Sequence, residues 1–132
     1  MPKRDQGTAK PALLLLEDDP EARRSLQLVL QGQGFNVCAY ASPAMLLAGS
    51  LTMQAACLVT GYRLAGMNGI EVLAALRGRG WEGAAILLLD HGSDKLTRQA
   101  LSSGFESVLE KPLRHFSLAK LVMRLVRADE QK

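Results

Sequence analysis

Ala12-Leu13-Leu14-Leu15-Leu16-Glu17-Asp18-Asp19-Pro20 joins a strand to the start of a helix. Five consecutive apolar residues with no helical period form a run suited to a strand covered on both faces. The run ends at three acidic residues and a proline. Asp19 supplies an N-cap oxygen, and Pro20 suits a first-turn position that needs no amide partner. Ala22, Leu26, Val29 and Leu30 then recur on one helical face to about Gln31, where Gly32 and Gly34 end the helix.

The same strand-and-helix unit repeats along the chain. Phe35 to Tyr40 reads as a second strand, and Ser42-Pro43 opens a short helix carrying Met45, Leu46 and Leu47. Ala55 to Thr60 is a third strand, followed by a glycine-rich loop and a helix from about Gly69 to Arg77 with Ile70, Leu73 and Leu76 inward. Ala84 to Leu89 is a fourth strand, and Ser93 caps a helix whose apolar residues are Leu96, Ala100 and Leu101. Ser107 to Glu110 is a fifth. After Lys111-Pro112 the last helix places Leu118, Leu121, Val122 and Leu125 at i, i+3, i+4 and i+7. Apolar strands alternating with helices predict an α/β domain with a parallel sheet covered on both faces. Functional groups in such sheets gather at the carboxyl ends of the strands. Those ends are Glu17-Asp18, Gly61, Leu89-Asp90 and Lys111. Residues 1–10 read as a disordered lead-in, 11–128 as one domain and 129–132 as a tail. With only Arg127 to Lys132 beyond the last helix, no output domain is expected.

A chain of 132 residues, 48% hydrophobic and 22% charged, suits one ordinary domain. No apolar run approaches the roughly 20 residues of a membrane span. The polar first ten residues lack the apolar middle of a secretory signal, so a cytoplasmic location is expected. The net charge of +3 is scattered, with no basic stripe and no zinc-finger spacing, so nucleic acid is not an expected partner. Gly78-Arg79-Gly80-Trp81-Glu82-Gly83 fits G-x-G-x-x-G, but it follows a helix and precedes a strand, the reverse of a phosphate-binding turn. His91, near a strand end, and His115, at the last helix start, read as surface residues. Arg124 and Arg127 read as the wet face of the last helix.

Four pieces, in order and each at a strand end, resemble the receiver domain of bacterial two-component response regulators: residues 13–20, 58–69 (Leu-Val-Thr-Gly-Tyr-Arg-Leu-Ala-Gly-Met-Asn-Gly), 86–92 (Ile-Leu-Leu-Leu-Asp-His-Gly) and 110–112 (Glu-Lys-Pro). The resemblance covers about residues 12 to 127. It implies a flavodoxin-like (βα)5 doubly wound sandwich with strand order 2-1-3-4-5. Cys38 and Cys57, on strands two and three, would then lie about 9–10 Å apart, two strand spacings. A disulfide needs less than about 7 Å, so none should join them.

In the family an acidic pair after strand one and an Asp ending strand three hold Mg²⁺, and that Asp accepts the phosphoryl group. A Ser or Thr after strand four and a Lys after strand five contact the phosphoryl oxygens. Glu17 and Asp18 match the pair, and Lys111 matches the Lys. Gly61 stands at the phosphoacceptor position, Leu89 at the Ser/Thr position, and Val108 where the family often has a switching aromatic. Gly61 offers no nucleophile and removes one anionic donor from the metal site, while Leu89 offers no hydroxyl. Strand alternation points Thr60, Tyr62 and Asp90 away from these positions, leaving Asp18 as the one substitute carboxylate to test.

Two carboxylates about 4 Å apart repel by about 4 kcal/mol at an effective dielectric of 20, so Glu17 and Asp18 favour a nearby cation. A direct bridge from Lys111 is the preferred reading, and weak Mg²⁺ at Glu17 and Asp18 the other; no cofactor is expected beyond that. The resemblance thus implies a stand-alone, non-enzymatic receiver acting as a phosphorylation-independent protein-binding module in two-component or phosphorelay signal transduction. Its partner would be a histidine kinase, a phosphotransfer protein or a second copy in a homodimer. Arg98, Gln99, Ser102, Arg114 and Lys120 would lie near the family's partner face. Two alternatives stay open: a conventional phosphoacceptor using a substitute carboxylate, and a small-ligand sensor using the vacated pocket.

Overall fold

The computed structural model describes residues 11–113 and 115–130; the lead-in proposed for 1–10 lies outside them. The strands are β1 (Ala12–Leu16), β2 (Asn36–Tyr40), β3 (Cys57–Gly61), β4 (Ala84–Leu89) and β5 (Ser107–Glu110). The helices are α1 (Pro20–Gly32), α2 (Pro43–Leu47), α3 (Gly69–Gly78), α4 (Asp94–Ser102) and α5 (His115–Glu130), with a 3₁₀ turn at Thr52–Gln54. All pairings are parallel, in the order β2-β1-β3-β4-β5.

Two apolar layers hold the helices to the sheet. Leu13, Leu15, Val37, Val59, Ile86 and Leu88 face Leu26 and Leu30 of α1 and Leu118, Val122 and Val126 of α5. Leu14, Leu16, Leu58, Ala85, Leu87 and Leu89 face Leu46 of α2, Leu73 and Leu76 of α3 and Ala100 of α4. β1, β3 and β4 are covered on both sides, which is why they read as unbroken apolar runs.

Helix starts follow local chemistry. The Asp19, Ser42 and Ser93 side chains accept from the backbone N–H of Ala22, Met45 and Leu96, respectively. Asn68 and Glu71 form a reciprocal capping box at α3, with both hydrogen bonds at 2.8 Å. Gly78 to Gly83 forms a helix-to-strand turn in which Gly80 has φ 93° and the indole N–H of buried Trp81 donates to Ala55 O at 2.8 Å.

Several boundaries and one face differ from the sequence reading. β3 begins at Cys57 rather than Ala55, because the 3₁₀ turn ends just before it, and it runs on to Gly61. β2 starts at Asn36 rather than Phe35, and α5 continues to Glu130 rather than stopping before Arg127. The sequence pattern puts Leu101 with Leu96 and Ala100, yet Leu101 is 47% exposed. One residue past Ala100 turns the side chain about 100° away from the buried stripe. Cys38 pairs in register with Leu14 and Cys57 with Leu13, which places the two thiols on opposite faces of the sheet with no disulfide between them.

Leu15→Ala, in the fully buried centre of β1, should lower stability by about 2–5 kcal/mol. Leu28→Ala, on the exposed side of α1, should stay within about 0.5 kcal/mol. Urea midpoints at unchanged m-value measure both.

Candidate functional site

Strand parity assembles the site. Leu15, Val59, Leu88 and Leu109 belong to the α1–α5 layer. Two residues beyond each stand Glu17, Gly61, Asp90 and Lys111, so all four arrive on the same side of the carboxyl edge. Glu17 is 3% exposed. Its Oε1 receives the Lys111 ammonium at 2.8 Å, and its Oε2 accepts the Asp19 N–H at 3.2 Å. The Glu17 carbonyl accepts from Arg23 Nη1 at 2.8 Å, which fastens the first turn of α1 to the end of β1.

Lys111 has a second carboxylate partner, Asp90 Oδ1 at 3.2 Å, and its backbone N–H donates to Leu89 O at 2.8 Å. Burial is the largest single influence on the Lys111 ammonium and lowers its pKa. The hydrogen bond and charge of Glu17, then those of Asp90, together outweigh burial and leave the pKa above the ordinary 10.5. The preferred bridge from Lys111 is therefore present, and it selects Glu17. Asp18 is exposed on the rim. The Lys111-Pro112 peptide bond is cis.

A cavity of about 70 Å³ opens beside this ion triad, lined in part by Asp18, Gly61, Leu89 and Asp90. The backbone at Gly61 is not in the left-handed region. A Cβ added there would meet Glu17 Oε1 at 3.6 Å and nothing closer, which is ordinary contact. Packing therefore does not require glycine at this position. Leu89 turns into the α3–α4 layer, and half-buried Val108 packs against that same layer. Thr60 faces that layer too, as parity predicts, with its hydroxyl donating to Gly61 O at 2.9 Å.

One expectation needs correction. Strand alternation predicts that Tyr62 and Asp90 both point away from the site; Tyr62 packs against the α3–α4 layer as expected, while also lining the cavity, whereas Asp90 reaches Lys111. For Asp90 the error lay in the reference residue. Gly61 pairs with Leu88, not Leu89, so the residue two past Leu88 returns to the side of Gly61 and Lys111. His91 is exposed as expected, but it also lines the cavity together with Arg63 and Leu96. Arg98, Gln99 and Ser102 are exposed on α4 and Lys120, Arg124 and Arg127 on α5; Arg114 lies outside the described residues, and His115 opens α5.

The model of the response regulator receiver domain family matches residues 13–123. The transcriptional regulatory protein FixJ of Azorhizobium caulinodans is 34% identical over 98 residues, 74% of this chain and 46% of that protein. The C4-dicarboxylate transport transcriptional regulatory protein DctD of Rhizobium meliloti is 29% identical over 125 residues, 95% of this chain and 26% of that protein. The chain thus spans less than half the length of either relative. The crystal structure of a CheY-like response regulator receiver domain protein from Methanospirillum hungatei superimposes with a TM-score of 0.82 at 17% identity, covering 93% of this chain and 98% of that one. At that identity the likeness speaks for the fold. Among the described residues, no helix is long and apolar enough to cross a membrane.

Lys111→Met should destabilise the fold by about 3–5 kcal/mol in chemical denaturation, because it leaves the buried Glu17 carboxylate without its cation. Lys111 also sets a pH dependence. A folded pKa above the unfolded one gives stability that is complete below 10.5 and lost as pH rises through the folded value. Melting temperatures from pH 8 to 11.5 should therefore fall more steeply above pH 10.5 in the wild type than in Lys111→Met.

Proposed function

The chain belongs to the response regulator receiver domain family, and on that premise we propose that it signals by protein binding without taking up a phosphoryl group. The observation that carries this reading is residue 61, a glycine at the carboxyl end of β3 inside the cavity that holds Glu17 and Lys111. By resemblance, that position bears the accepting carboxylate. Phosphoryl transfer to protein needs an oxygen nucleophile in line with the donor, and a hydrogen atom provides none.

Three further features support it. Leu89, where the family has a hydroxyl, is apolar and packed in the α3–α4 layer. Lys111, which would contact phosphoryl oxygens, already holds two carboxylates. The donor set also fits Mg²⁺ poorly. Glu17 has Lys111 on one oxygen and the Asp19 amide on the other, Asp90 is paired with Lys111, and residue 61 contributes no ligand, which leaves the exposed Asp18. A hard divalent ion wants about six oxygen donors in near-octahedral array, several of which can be water, and its affinity falls with each anionic ligand lost. Weak Mg²⁺ binding at most follows, and no step is assigned to it.

The cavity also bears on the ligand-sensor alternative. About 70 Å³ is well below the roughly 300 Å³ at which small-molecule pockets begin. A protein partner suits the site better, and within this family's signalling chemistry a histidine kinase or phosphotransfer protein is the class to test. The exposed residues Arg98, Gln99 and Ser102 of α4 and Lys120 of α5 are the proposed contact surface.

Incubation with Mg²⁺ and acetyl phosphate, followed by intact mass measurement, should leave the chain unmodified. A covalent gain of about 80 Da would contradict the proposal, and peptide mapping of it to Asp18 would identify a substitute acceptor. Gly61→Asp, for which the backbone has room at Cβ, should acquire that mass under the same conditions.

A further inference from the structure

Residues 89–92, between β4 and α4, are tied to residues 110–111 by three contacts. The Lys111 N–H donates to Leu89 O at 2.8 Å, the Gly92 N–H donates to Glu110 Oε2 at 2.8 Å, and Asp90 Oδ1 meets Lys111 Nζ at 3.2 Å. Only the last joins two charged side chains. α4 starts two residues after Gly92, capped by the Ser93 hydroxyl, so the position of this loop sets where α4 begins.

The two carboxylates on Lys111 differ in freedom. Glu17 is buried and fixed by a second hydrogen bond from the Asp19 amide. The Asp90 side chain is 57% exposed and belongs to the loop itself. Leu89, the other side chain at the end of β4, faces the apolar α3–α4 layer and gives the loop no polar tie to the site. Asp90 is therefore the side chain through which the loop engages the ammonium.

We propose that Asp90 is a built-in anion for Lys111: a carboxylate carried by the β4–α4 loop holds the Lys111 ammonium, and with it the start of α4, with no group arriving from outside. The contact is a conformational clamp that stays closed through the chain's own charges. It rests on the reading that residue 61 takes no phosphoryl group, because an acylphosphate there would compete for the same ammonium.

Hydrogen exchange of the full chain, read by mass spectrometry without any phosphodonor, tests the clamp. Asp90→Asn removes one exposed charge and no buried group, so the fold should persist. Peptides spanning residues 90–97 should exchange about two- to fivefold faster in Asp90→Asn than in the wild type, the effect of losing one partly exposed ion pair. Peptides spanning α3 should be unchanged. Raising NaCl to about 0.5 M should move the wild type toward the Asp90→Asn rate and leave the variant where it was. Equal exchange of wild type and variant at low salt, or acceleration spread evenly over the chain, would overturn the clamp. Phosphoryl uptake by the wild type would instead overturn the reading of residue 61, and the donor-free exchange result would stand apart from it.

Discussion

Glu17 ends β1 with its carboxylate almost out of reach of water, and the carboxyl edge of the sheet is organised around that charge. Taking a lone carboxylate out of solvent costs several kcal/mol, so a cation must be brought to it. The cation comes from Lys111, 94 residues away in the chain and three strand spacings away in the sheet, about 14 Å. The Lys111 and Glu17 side chains together thus bridge the ends of β3 and β4. The remaining Glu17 oxygen takes the Asp19 amide and its carbonyl takes Arg23, so the same residue also seats the first turn of α1.

That arrangement explains how an acidic residue and a lysine can sit together beside Gly61. Glu17 and Lys111 satisfy each other, and removing either would strand its partner in a poorly solvated place. Their presence is accounted for by stability alone and needs no phosphoryl chemistry. Gly61 has no comparable structural reason. Its backbone is ordinary and a Cβ would fit, so packing leaves the identity of this residue undetermined. The fold is therefore a weak guide to activity here, and the residues at the strand ends are the stronger one.

Most of the architecture was legible because each element carries its own local signal. The β1, β3 and β4 runs are apolar on both faces, the Asp19, Ser42 and Ser93 caps mark helix starts, and the amphipathic stripe of α5 shows which side is wet. Signals that depend on neighbours were less readable. The start of β3 depends on a 3₁₀ turn with no strong sequence mark, and Leu101 looks apolar enough to be buried but sits one residue off the stripe. Glu17, Gly61 and Lys111 could be placed together because each lies at a strand end. Asp90 could not, because its direction follows from the pairing of Gly61 with Leu88, a register fact that no single strand reveals.

The central claim is that residue 61, at the carboxyl end of β3, offers no oxygen to an incoming phosphoryl group. Beryllofluoride, a phosphoryl analogue that ligates a carboxylate oxygen, tests this directly when added with Mg²⁺ to the ¹⁵N-labelled chain. The account predicts that the amide resonances of residues around Gly61, Leu89 and Lys111 stay where Mg²⁺ alone leaves them. A second set of peaks for those residues, growing in with the analogue, would contradict it.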